Sequence, residues 1–132
     1  MKTLLKTSLL GVMLLLLLAA CGESEDPAVA FCDALTELSE TGPAIAALGD
    51  VADLAQIVQL GSAMDNNWQA LSSAVEQLDD ATQAAFAPYD DLYTSIPAIT
   101  QEMAMPVART SLDAKNAIVT DAYDEFYPEL CQ

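Results

Sequence analysis

Beyond residue 26, apolar residues recur every three or four positions, the spacing of one face of an α-helix. Ala28, Phe31, Cys32, Leu35 and Leu38 form the first such face. Asp26-Pro27 reads as its start, with a carboxylate at the N-cap and proline in the first turn. Gly42-Pro43 is expected to end it. A second helix is predicted from near Asp50, with a long stripe through Leu54, Ile57, Val58, Met64, Trp68, Leu71, Val75 and Leu78. Gly61 falls on that stripe, where it either breaks the helix or lets another segment approach closely. The stripe keeps its phase on both sides, which favours a continuous helix with a weak point.

Asp79-Asp80 opens a third predicted helix, which carries Phe86, Tyr89, Tyr93 and Ile96, and Pro88 should kink or divide it. Pro97 and Pro106 punctuate a stretch that otherwise reads helical. The last helix carries Ala108, Leu112, Asn116, Val119, Tyr123, Phe126 and Leu130 in steps of three or four, the narrow seam of a helix packed in a bundle. Period-two alternation rich in β-branched residues is absent, so no sheet is predicted. The expected fold is all-α: a single up-down bundle of about four main helices.

The first twenty residues follow a different pattern. Lys2 and Lys6 precede an almost wholly aliphatic run from Leu9 to Leu18, which is too short to cross about 30 Å of hydrocarbon. The run closes on Leu18-Ala19-Ala20-Cys21-Gly22, which resembles the lipobox of bacterial prolipoproteins. The resemblance implies cleavage before Cys21 and a lipid on its sulfur, with a further acyl chain on its amino group. Two or more chains hold stably to a membrane where one does not. The competing reading is an ordinary secretory peptide cut after Ala20. The expected layout is therefore a signal peptide over 1–20, a lipidated tether over 21–26 and a helical domain over 27–132. Such a protein is exported and lipid-anchored to a cell or outer membrane, with its domain outside the cytoplasm. The body is loosely similar in composition to small exported lipoproteins of high-GC bacteria, with Phe31-Cys32 early and Cys131 near the end. That likeness lends no activity.

Export changes the reading of the cysteines. With Cys21 lipidated, Cys32 and Cys131 remain, and in an oxidising compartment such a pair is expected to form a disulfide. Its loop would enclose nearly the whole mature chain and contribute about 4–5 kcal/mol on a chain-entropy model. Cys32 lies near the start of the first helix and Cys131 beyond the end of the last. In an up-down bundle those ends meet only for an even number of crossings, and four satisfies this.

Charge narrows the partners. All twenty acidic residues follow the leader, but only Arg109 and Lys115 of the basic ones do, so residues 21–132 carry a formal charge of −18. Nucleic acid is excluded, because its binding rests on Lys and Arg neutralising phosphates. Anionic headgroups also repel the domain, which leaves the lipid on Cys21 to hold it at the membrane. Basic envelope proteins or peptides, polyamines and loosely held divalent cations are the favoured partners; acidity that merely keeps an exported domain soluble is the plain alternative. No oligomeric state is implied.

Candidate chemistry is sparse. The chain has no histidine, which removes His-dependent nucleophile arrangements and His-ligated zinc. Ser111 and Lys115 are four apart and share a helix face, but that spacing is not the Ser-x-x-Lys of penicillin-recognising enzymes, and a solvated flank is expected. Asp79-Asp80, Asp90-Asp91 and Asp124-Glu125 read as caps or solvated faces, since adjacent helical residues diverge by about 100°. Asp65-Asn66-Asn67 lacks the frame of a calcium loop. No catalytic residue, metal site or cofactor is assigned. Trp68, Phe86, Tyr89, Tyr93, Tyr123, Phe126 and Tyr127 either pack the core or line an apolar cavity, and Asn116 either fixes helix register or touches a ligand. Met103 and Met105 either fill core gaps or form an adaptable surface. The expected role is a non-catalytic envelope binding or interaction module with an acidic helical surface. The alternative is a carrier or sensor of a small apolar ligand, lined by Trp68, Phe86, Tyr89, Tyr93, Asn116, Tyr123 and Phe126.

Overall fold

The computed structural model describes residues 26–132. The signal peptide, the lipobox and the lipidation of Cys21 lie outside those residues. Four long helices and one short one make up the described chain: α1 (Pro27–Ser39), α2 (Thr41–Leu48), α3 (Leu54–Val75), α4 (Asp80–Ser95) and α5 (Met105–Leu130). No strand occurs among the described residues. The all-α bundle with one disulfide is the fold.

Three of the five helix starts are capped by a side chain. The Asp26 carboxylate accepts from the Ala28 N–H, and Pro27 occupies the first turn of α1. α3 begins at Leu54 rather than near Asp50. Its N-cap is Asp53, in a reciprocal box with Gln56: Asp53 Oδ1 accepts from the Gln56 N–H at 2.8 Å, and Gln56 Oε1 accepts from the Asp53 N–H at 3.0 Å. Asp79 caps α4 through the Thr82 N–H at 2.9 Å and the Thr82 hydroxyl at 3.0 Å. Those two donors hold the Asp79 carboxyl below its ordinary range.

Gly42-Pro43 does not terminate α1. The helix stops three residues earlier, at Ser39, where Ser39 and Thr41 hydroxyls take the carbonyls of Thr36 and Leu38. Gly42 and Pro43 then sit in the first turn of α2, where proline's missing N–H has no intrahelical partner to lose. α2 ends at Gly49, whose φ of 61° suits glycine alone without strain.

Pro88 lies inside α4 without dividing it. Residues 96–104, expected to be helical between the prolines, are a non-helical strap; Pro106 falls in the first turn of α5. Ile99 of this strap is buried against Gly61 of α3. α3 is continuous through Gly61. Any Cβ there would stand 2.9 Å from Ile99 Cδ1 and 3.3 Å from its Cβ, so the glycine serves close approach.

The four long helices alternate in direction, and α2 continues that of α1: Phe31, Thr41 and Gly49 meet Phe126, Asn116 and Arg109 of α5 in turn, while Asp65 and Trp68 of α3 meet Tyr93 and Asp90 of α4. Cys32 near the start of α1 meets Cys131 beyond α5, with Cα atoms 5.6 Å apart and a sequence separation of 99. This is the even-crossing arrangement expected of a four-helix order. The core runs from Phe31, Leu35 and Leu38 of α1 through Ile57, Met64 and Leu71 of α3 to Leu112 and Val119 of α5. Phe31, Phe86 and Phe126 fill its disulfide-proximal end, with ring centroids 5.9–6.5 Å apart. On α5 the buried positions are Ala108, Leu112, Lys115, Val119, Ala122 and Phe126. The expected seam therefore shifts by one residue at two places: Lys115 and Ala122 are buried, while Asn116 and Tyr123 flank them half-exposed. Steps of four, three, four, three and four keep a heptad face toward the core even where the residue is charged or small.

Candidate functional site

The bundle buries one cation, and the candidate site forms around it. Lys115 is 2% exposed. Its ammonium Nζ lies 2.6 Å from Asp65 Oδ1 on α3 and 4.7 Å from the centre of the Tyr93 ring on α4. The solvated flank expected for Ser111 and Lys115 is thus overturned for the lysine, because its heptad position faces α3 and α4. A buried ammonium requires such a partner. Tyr93 completes the cluster by donating its hydroxyl to the same Asp65 Oδ1 at 2.8 Å. Burial, then the bond to Asp65, push the Tyr93 phenol well above its ordinary value of 10.0.

A second carboxylate is fixed one turn away. Asp90 Oδ1 accepts from Trp68 Nε1 at 2.9 Å and from the Ser72 hydroxyl at 3.0 Å. Trp68 and Tyr93 stack between the two acids, 4.2 Å between centroids and within 4° of parallel. α3 supplies Asp65, Trp68 and Ser72 at helical spacing, α4 supplies Asp90 and Tyr93, and α5 brings Lys115 beneath them.

These groups line an open cleft of about 410 Å³, bounded also by Gln69, Thr94, Ile96 and Ala98. Its lining is mostly apolar. The size lies within the usual range of ligand pockets, toward the small end. Asp90 is therefore not the solvated face expected of Asp90-Asp91, although Asp91 is exposed.

Of the aromatic set, the cleft takes Trp68 and Tyr93. Phe86 stacks behind Trp68 at 5.4 Å in the core. Tyr89 packs edge-on against Phe126 at 5.6 Å. Phe126 borders a separate hollow of about 560 Å³ near the disulfide, with Asp124, Glu125 and Glu129. Tyr123 and Tyr127 stack on each other along α5, 4.6 Å apart. Asn116 faces α2, its amide oxygen 3.4 Å from the Thr41 hydroxyl oxygen, and a Cβ at Gly42 would stand 3.6 Å from that amide oxygen. It sits where a register contact belongs rather than in the cleft. Met103 is half-buried against the core, and Met105 is exposed.

Both basic residues among the described residues make contacts within the domain: besides Lys115, Arg109 Nη1 donates to the Gly49 carbonyl at 2.9 Å, and its Nε lies 3.9 Å from Asp113. Among the described residues, no group of three or more His, Cys, Asp or Glu side chains is arranged to hold a metal ion. No described helix is long and apolar enough to cross a membrane.

Asp65, Asp90 and Lys115 were not singled out as site residues from sequence. One signal was available: Lys115 occupies the apolar heptad of α5, where a lysine must find a carboxylate partner. Comparison with protein-family models, curated proteins and solved structures finds no match to this chain.

Proposed function

We propose that the protein is an exported lipoprotein, anchored through Cys21, whose acidic helical domain binds a basic protein or peptide of the cell envelope without catalysis. The observation that carries this reading is the disposition of charge. Both cations of residues 26–132 are consumed by internal contacts, whereas every acidic residue there except Asp65 and Asp90 is exposed. The exposed charge is consequently overwhelmingly negative, a field that steers cationic partners. An apolar cargo inside the bundle has weaker support, since Phe31, Phe86 and Phe126 occupy the core and the hollows open to the surface.

The test is zero-length carboxyl-to-amine cross-linking of the lipidated protein in its own membranes, at low and at high salt. The expected result is cross-links from exposed Asp and Glu to lysines of one partner, lost at high salt as charges are screened. Cross-links indifferent to salt would overturn the electrostatic reading.

A further inference from the structure

We propose that the Asp65–Asp90 cleft is the point at which the partner inserts an arginine side chain; this deepens the reading of the acidic domain and rests on it. Asp65 and Asp90 are the only acidic residues of 26–132 that are half-buried rather than exposed, and both line the same cleft. Each is clamped through one oxygen. Oδ1 of Asp65 takes Lys115 and Tyr93, and Oδ1 of Asp90 takes Trp68 and Ser72. Among the described residues, Oδ2 of each accepts no hydrogen bond, yet no buried side-chain polar atom there lacks a partner. Both free oxygens therefore reach solvent, on carboxylates already oriented by buried donors.

Their charge and lining select the ligand. Two carboxylates and one ammonium leave the cleft a net charge of −1, which one monocation neutralises. An apolar lining penalises a strongly hydrated ion. Guanidinium is more weakly hydrated than ammonium, offers a planar fork of donors to carboxylate oxygens and tolerates aromatic neighbours. A cleft of about 410 Å³ admits such a side chain with its hydrocarbon stem. Because its hydrogen-bond acceptors are fixed in advance, less ordering is required on binding.

Trp68 is the only tryptophan, and its indole N–H donates to Asp90, so one resonance reports the site. The lipidated full chain, ¹⁵N-labelled in detergent micelles, is titrated with acetyl-Gly-Arg-Gly-amide, with its lysine analogue and with the uncharged citrulline analogue. The arginine peptide is expected to shift the indole resonance saturably, with both analogues at least about tenfold weaker. Asp90→Asn, which keeps an acceptor for Trp68 and Ser72, is expected to weaken the arginine peptide about tenfold while leaving the fold intact. Equal shifts with citrulline, equal binding of the lysine peptide, no shift at all, or an unaffected Asp90→Asn would each overturn the assignment. Salt-sensitive cross-linking with a silent Trp68 would sink the cleft and leave the acidic-surface reading standing. A Trp68 response without salt-sensitive cross-links would do the reverse.

Discussion

Removing Asp65 should cost far more stability than removing Lys115, although the two form one ion pair. Lys115 keeps 3% of its side chain exposed and Asp65 keeps 31%. Asp65→Ala leaves a buried ammonium with only the Tyr93 ring at 4.7 Å and strips the Tyr93 hydroxyl of its acceptor. Breaking a buried pair in this way costs about 3–5 kcal/mol. Lys115→Met keeps the apolar stem and leaves Asp65 bound to Tyr93 with one oxygen in water, so about 1 kcal/mol is expected.

The assay is urea unfolding followed by Trp68 fluorescence, with the Asp65→Ala/Lys115→Met double variant closing the cycle. Adding Lys115→Met to Asp65→Ala should recover most of the loss. Equal losses for the two single variants, or a greater loss for Lys115→Met, would refute the buried-cation account.

Gly61→Ala gains about 1 kcal/mol of helix propensity but meets Ile99 Cδ1 at 2.9 Å, an overpacking that costs about 1–3 kcal/mol. Net destabilisation is expected in thermal unfolding, and in an Ile99→Ala background, where only the Cβ contact at 3.3 Å remains, the loss should shrink. Replacing Cys32 and Cys131 together with alanine should cost about 4 kcal/mol by denaturant titration and raise the m-value, since the bond closes a loop of 99 residues. With its folded value raised, Tyr93 contributes stability that is complete below pH 10 and lost as pH rises beyond it; absorbance at 295 nm should show this phenol ionising only with alkaline unfolding. Asp79 has the opposite sign: its contribution holds above its ordinary value of 3.8 and disappears as pH falls through the lowered folded value, so Asp79→Asn should flatten the acid limb of stability.

Helix periodicity made most of the fold legible. The faces through Phe31 and Leu38, through Ile57 and Val75, and through Leu112 and Phe126 are the core faces, and the cysteine pairing requires an even number of crossings. Residues 96–104 were not legible, because Ile99 finds its place only against a glycine about 40 residues earlier, a contact that no local pattern records. Asp53, rather than Asp50, could have been identified as the cap of α3 from Gln56 three residues on. The cleft was half legible. Trp68 and Tyr93 stood out as aromatics at helical spacing, whereas Asp65, Asp90 and Lys115 looked like ordinary surface charges. What distinguishes them is burial supplied by three helices at once, and single-helix patterning does not contain it.

The account centres on a lipid-held acidic domain that works by its surface, and native mass spectrometry of the full-length protein taken from its own membranes tests that most directly. The account predicts a chain beginning at a multiply acylated Cys21, closed by the Cys32–Cys131 bond, carrying no small apolar ligand and losing a basic polypeptide as salt rises. A tightly held apolar molecule that survives high salt, on a chain with no basic companion at low salt, would contradict it.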